Sequence, residues 1–118
     1  MSEEFRITSK ICMTKDVGTH GNLFGGNMLA WMDEAAAVFA RTRTGEPHLV
    51  TLRFSEILFK RPVKVGEMIT FYACEPVVGR SSITFDLVGK VKEDVVFRTT
   101  CTFVNVDAEG RAKPIPGR

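Results

Sequence analysis

One stretch decides the fold: Asn27-Met28-Leu29-Ala30-Trp31-Met32-Asp33-Glu34-Ala35-Ala36-Ala37-Val38-Phe39-Ala40. Ala, Leu and Met are strong helix formers, and the pattern runs on to Thr44, which predicts a helix over 27–44. Arg41 and Arg43 suit the negative end of the helix dipole, and Gly45 supplies a C-terminal cap. Between Met28 and Ala40 the only ionisable side chains are Asp33 and Glu34. A helix apolar nearly all round is a buried helix, so other elements must cover it.

The flanks say what covers it. Upstream, residues 6–13 alternate loosely and read as a first strand. Residues 14–26 carry Gly18, Gly21, Gly25 and Gly26 with Asp16, Thr19, His20 and Asn22 between them, the composition of a loop with close backbone approaches. Downstream, segments rich in Val, Ile, Phe and Thr predict strands near 49–58, 68–76, 81–92 and 95–106. Lys60-Arg61-Pro62, Val65-Gly66-Glu67, Val78-Gly79-Arg80 and Lys92-Glu93-Asp94 punctuate them. The tail, 107–118, reads as a turn and a loose end. The economical solution is an α+β domain in which a curved antiparallel sheet wraps around one long central helix.

The chain has 118 residues, the length of one domain, 1–118. A net charge of +2 with interspersed signs argues against nucleic acid as a partner. No apolar run approaches the roughly 18 residues that cross a membrane. Met1-Ser2-Glu3-Glu4-Phe5-Arg6 lacks the basic-then-apolar pattern of a signal peptide. Cys12, Cys74 and Cys101 have no metal-ligand spacing and read as buried, reduced thiols of a cytoplasmic protein.

Asp33 is the informative residue. Helical spacing gives it Leu29, Ala30, Ala36 and Ala37 as neighbours, and burying an unpaired carboxylate costs several kcal/mol. The cost points to catalysis, or to an Arg partner across a subunit contact. Gly25 and Gly26 lie where the helix begins, and free backbone amides there suit a developing oxyanion; close packing is the plain alternative. Asn22 could orient a water or polarise a carbonyl. His20 could be a base, although turn residues of this kind more often bond nearby backbone. His48, beside Pro47, reads as structural or exposed.

Gly21-Asn22-Leu23-Phe24-Gly25-Gly26, followed by Trp31-Met32-Asp33-Glu34-Ala35-Ala36, resembles the acyl-CoA hydrolase branch of the hotdog-fold thioesterases. Phe59-Lys60-Arg61-Pro62-Val63, Val65-Gly66-Glu67, Val78-Gly79-Arg80-Ser81-Ser82-Ile83 and Asp107-Ala108-Glu109-Gly110 extend the resemblance over about 8–116. It implies a hotdog fold and hydrolysis of acyl-CoA thioesters to a free acid and CoA. The family's catalytic carboxylate falls on Asp33. The matching Asn22 assists from the partner subunit, so that the site lies at a dimer interface. Many bacterial members carry Asn where this chain has His20 and Asp where it has Asn22, which leaves the division of labour in the loop open.

In the implied mechanism the Gly25 and Gly26 amides hold the oxyanion, and Asp33 acts as general base or as nucleophile. No cofactor and no metal are called for, since coenzyme A is part of substrate and product. Arg80 with Ser81 and Ser82 is the expected phosphate contact, with Arg61, Lys60, Lys64, Lys90 and Lys92 as supporters. Phe24, Trp31, Met32 and Phe54 are the expected lining of an acyl slot. A homodimer sharing edge strands and helix N-termini is expected, with tetramers or hexamers open. The competing readings are a non-catalytic acyl-CoA binder of the same fold, a hotdog dehydratase or hydratase, and a structural oligomerisation domain. A dehydratase needs an active-site His that the helix lacks.

Overall fold

The computed structural model describes residues 3–117. Met1 and Ser2 of the N-terminal segment and Arg118 of the tail lie outside them. Helix α1 spans Gly25–Thr44, two residues earlier than its pattern suggests, and ends at Gly45, whose φ of 75° lets its amide donate to the Arg41 carbonyl. A glycine is the residue that takes this left-handed cap without strain.

The strands are β1 (Glu4–Ile11), β2 (Leu49–Phe54), β3 (Leu58–Phe59), β4 (Met68–Val78), β5 (Ser82–Val91) and β6 (Asp94–Asn105). They form one antiparallel sheet in the order β1-β4-β5-β6-β2, with β3 pairing further along β6. The sheet packs against α1, which is the hotdog arrangement. The single strand expected over 49–58 is broken. At the break Ser55 turns its hydroxyl back to accept the Thr100 amide at 2.9 Å, and pairing resumes at Leu58 opposite Arg98.

Met28, Met32, Ala35, Ala36, Phe39 and Ala40 form the buried stripe of α1. The Phe39 ring meets Phe85 edge-on at 4.8 Å between centroids, and removing such a ring costs about 3–5 kcal/mol. The expectation of a helix buried on all sides is corrected here. Leu29, Ala30, Asp33, Glu34, Ala37 and Val38 are exposed in the protomer, so one face of α1 is sealed by the sheet and the other is open. Beside the open face, β2 exposes Val50 and Leu52.

The tail also differs from its expectation. Ile115 is buried; its amide donates to the Arg80 carbonyl at 2.7 Å, and the Lys113 amide donates to the Asn105 carbonyl at 2.8 Å. One apolar side chain among prolines is enough to dock this segment. Among the described residues no helix is long and apolar enough to cross a membrane.

Candidate active site

The loop before α1 is built on Asp16. A short 3-10 turn over Thr14–Asp16 carries it, and its carboxylate accepts the Met13 amide at 2.9 Å and the Lys15 ammonium at 3.1 Å. The Met13 amide, more than the lysine, holds the Asp16 carboxyl below the usual range. The Asp16 carbonyl accepts the Phe24 amide and the Asn27 side-chain amide, both at 2.9 Å. The helix N-terminus is thus tied to the loop by its flanks. On the other side, the Leu23 amide donates to the Val63 carbonyl at 2.8 Å, and Asn22 bridges to Lys64.

This bracing leaves the first turn of the helix open. Phe24 occupies the cap position and its side chain has no acceptor to offer. Its own amide is spent on Asp16 and its carbonyl takes the Met28 amide. The amides of Gly25, Gly26 and Asn27 have no intrahelical partner and no side-chain cap. The two glycines differ in kind. A Cβ on Gly26 would meet the Phe24 ring at 2.8 Å, whereas a Cβ on Gly25 would meet nothing within 4 Å. Packing explains Gly26; it does not explain Gly25.

Gly25 borders a cleft of about 390 Å³, walled by Leu23, Met28, Phe59, Val63 and Val96 with Lys60, Arg61 and Pro62 at the rim. Arg61 donates to both Glu67 oxygens at 2.6 Å and lies 3.5 Å from Asp94. Glu67 also accepts the Lys64 amide at 2.9 Å. That bond, ahead of Arg61, depresses the Glu67 carboxyl.

Asp33 lies on the open face of α1, and its carboxylate accepts the Thr51 hydroxyl at 2.7 Å. Glu34, one residue on, turns the other way to Lys10 of β1 at 3.4 Å. Lys10 also sits over the Trp31 ring at 5.8 Å.

The predicted residues fall into two groups. Asn22, Phe24, Gly25, Gly26 and Arg61 gather around the helix N-terminus and the cleft. Asp33 stands with Thr51 near the far end of the sheet, where Ser82 pairs with Val104 and Val50 pairs with the same Val104. Eight helical residues separate Gly25 from Asp33, a rise of about 12 Å. Seven strand positions separate Phe97, opposite Phe59, from Val104, or about 23 Å. One protomer therefore holds the carboxylate and the uncapped amides apart.

Arg80, in the β4–β5 turn, is exposed, and its guanidinium forms no ion pair or hydrogen bond among the described residues. The Arg80-Ser81-Ser82 segment is held by the Ile115 amide on one side and by the Asn105 amide, which donates to the Ser81 carbonyl at 2.8 Å, on the other. Of the expected acyl lining, Met32 is wholly inside the core, and Trp31 and Phe54 pack against it; only Phe24 is exposed. His20 and His48 are both exposed. Burial pushes all three thiols up, Cys101 to about 12, which makes them poor nucleophiles.

Thr51 and two cleft residues escaped the sequence reading. Thr51 carries no signal beyond its place in a strand. The cleft residues Phe59 and Val63 sit in a motif already singled out, yet no spacing rule says that this strand end faces the helix N-terminus.

The thioesterase superfamily model matches residues 20–98. An uncharacterized acyl-CoA thioester hydrolase of Haemophilus influenzae is 31% identical over 90% of this chain and 74% of its own length. The acyl-CoA thioester hydrolase YciA of Salmonella typhimurium is 30% identical over 93% of this chain and 89% of its own. The hexameric thioesterase y2039 from Yersinia pestis superposes with a TM-score of 0.86 at 28% identity, covering 96% of both chains.

Proposed function

For a chain that belongs to the thioesterase superfamily, we infer an acyl-CoA thioesterase that hydrolyses acyl-CoA thioesters to a free acid and CoA. The observation that carries its catalytic assignment is a division of labour. A carboxylate stands on an exposed apolar helix face, and uncapped amides stand about 12 Å away on the same helix. A second copy packed antiparallel on the open face of α1 brings one protomer's Asp33 to the other's Gly25. It also covers Leu29, Val38, Val50 and Leu52, all exposed in the protomer. The protein is a homo-oligomer with a small-molecule substrate, and the hexameric Yersinia pestis neighbour favours a hexamer built from three such dimers.

The carbonyl oxygen of the thioester sits at the Gly25 and Gly26 amides, whose dipoles stabilise the negative charge that develops there. Asp33 takes a proton from water as that water adds to the carbonyl carbon; the C–S bond then breaks and the thiolate leaves, protonated in turn. In the competing route Asp33 attacks the carbon directly, the C–S bond breaks and the CoA thiolate leaves, and water then opens the resulting mixed anhydride. Thr51 orients the carboxylate, and Asn22 from the partner holds the water or the carbonyl. The CoA phosphates meet Arg80, Ser81 and Ser82. Arg61, bound to Glu67, shapes the rim. No cofactor or metal takes a part, because the carboxylate and the amides supply both base and oxyanion site. The compartment is the cytoplasm, in keeping with three free thiols.

The test is thiol release from acyl-CoAs by wild type and Asp33→Ala. General-base or nucleophilic catalysis contributes about 10²–10⁴-fold, and a loss of that size with an unchanged melting temperature is expected. A folded Asp33→Ala protein with full activity would sink the assignment. Single turnover in ¹⁸O-water separates the routes: label in Asp33 with an unlabelled product acid marks an anhydride opened at the Asp33 carbon, whereas label in the product alone is expected of the general base.

A further inference from the structure

We propose that the cleft at the helix N-terminus is the acyl-chain pocket, sized for straight, uncharged chains of short to medium length, with Met28 as its floor. The proposal rests on the thioesterase reading and deepens it. Gly25 belongs both to the uncapped amides and to the cleft wall. A thioester carbonyl held at that amide carries two substituents, sulfur and acyl. The sulfur arm must reach cations for its phosphates. The acyl arm leaves from the same point and needs apolar walls.

Leu23, Phe59, Val63 and Val96 supply those walls directly beside Gly25. Met28, Val63 and Val96 are 4%, 2% and 0% exposed, so the deep end is closed by core side chains. At about 390 Å³ the cleft is near the small end of ligand sites, which run from about 300 to 1,000 Å³. The bidentate Glu67 contact occupies the Arg61 guanidinium, so the rim does not turn that cation toward a charged chain end. Gly25 itself has no packing reason to be glycine, and a pocket that begins at this Cα gives one: a side chain there would intrude where the acyl group enters.

The experiment is kcat/KM over straight-chain acyl-CoAs from acetyl to palmitoyl, on the full chain, for wild type, Met28→Ala, Met28→Leu and Phe59→Ala. Wild type should rise to a medium-chain optimum and fall beyond it. Met28→Ala deepens the floor and should move the optimum to longer chains. The long-to-short ratio should change by at least about tenfold, the discrimination one methylene provides in an apolar pocket. Met28→Leu, close to Met in volume, should shift the optimum in the same direction by less than Met28→Ala does. Phe59 is a half-exposed wall residue, so Phe59→Ala gives a second reading should the floor variant fail to fold; it should raise the relative rate on branched and aryl thioesters. Variants that slow every chain length by one common factor would overturn the proposal and assign the cleft to the pantetheine arm. Absence of turnover by wild type on the whole panel would overturn the thioesterase reading itself, and the pocket with it.

Discussion

The two edges of the sheet are finished differently. β1 carries Glu4, Arg6 and Lys10 in eight residues, with Lys90 bonded to Glu4 and Lys10 to Glu34. Charges on an outer strand keep other strands from pairing with it. β2 has one charge in six residues, Arg53, and exposes Val50 and Leu52. The neighbouring carboxylates of α1 follow the same division: Glu34 faces the charged edge, and Asp33 faces the apolar one. One edge is charged, and the candidate carboxylate Asp33 faces the apolar other.

The comparison breaks most visibly at Leu52. Leu52→Glu places a carboxylate in the apolar patch that the proposed partner covers, and burying an unpaired charge there costs several kcal/mol. The expected outcome is a monomer by sedimentation and near-complete loss of turnover. Arg6→Glu on the charged edge should leave both unchanged. An active Leu52→Glu monomer would end the shared-site scheme.

Gly25→Ala sharpens it next. Nothing lies within 4 Å of the added Cβ, and a Gly-to-Ala change at compatible geometry stabilises by about 0.4–1 kcal/mol. Stability should hold or rise while kcat/KM falls by about tenfold or more, the scale of a disturbed oxyanion site. Equal activity would return Gly25 to a structural role.

Thr51→Val removes the one side-chain hydrogen bond that Asp33 makes among the described residues. Since a hydrogen bond of this kind is worth about 1 kcal/mol net, kcat should fall about fivefold with KM nearly constant, and the melting temperature should drop by a few degrees. An equal loss from Ser55→Ala would show that Thr51 acts only through the sheet.

The smallest effect concerns acid. Asp16 and Glu67 have depressed carboxyls, each held mainly by a backbone amide. Such groups add stability that is fully present above the ordinary carboxylate value of about 4 and is lost as pH falls through the lower folded values. Thermal melts of wild type should decline by a few degrees below that point. In Asp16→Asn the decline should be shallower.

Much of this was legible in the residues. Ala, Leu and Met density marks α1 to within two residues of its start, and Gly45 marks its end. Asp33, Asn22 and the glycine pair stand out because polar groups and glycines interrupt an apolar pattern. What stayed hidden about the helix has one cause. Leu29, Ala30, Ala37 and Val38 are as apolar as the sealed stripe, and an interface is chemically the same as a core. Composition therefore predicted a helix covered all round by its own chain, when half of it faces outward. The β2–β3 break depends on one Ser55 hydroxyl reaching a neighbouring amide, and the tail on one Ile among prolines. Neither leaves a periodic trace.

The 12 Å rise from Gly25 to Asp33 also has a genetic meaning. In the shared site proposed above, an allele carrying Asp33→Ala impairs one half of every site, and an allele carrying Gly25→Ala impairs the other. Each variant alone should turn over more slowly than wild type. Expressed in one cell, the two products mix, and each mixed pair contains one site with both defects and one with none. Two impaired alleles thus complement each other, and the pattern of which pairs do so would map the two halves of the site without a structure of the assembly.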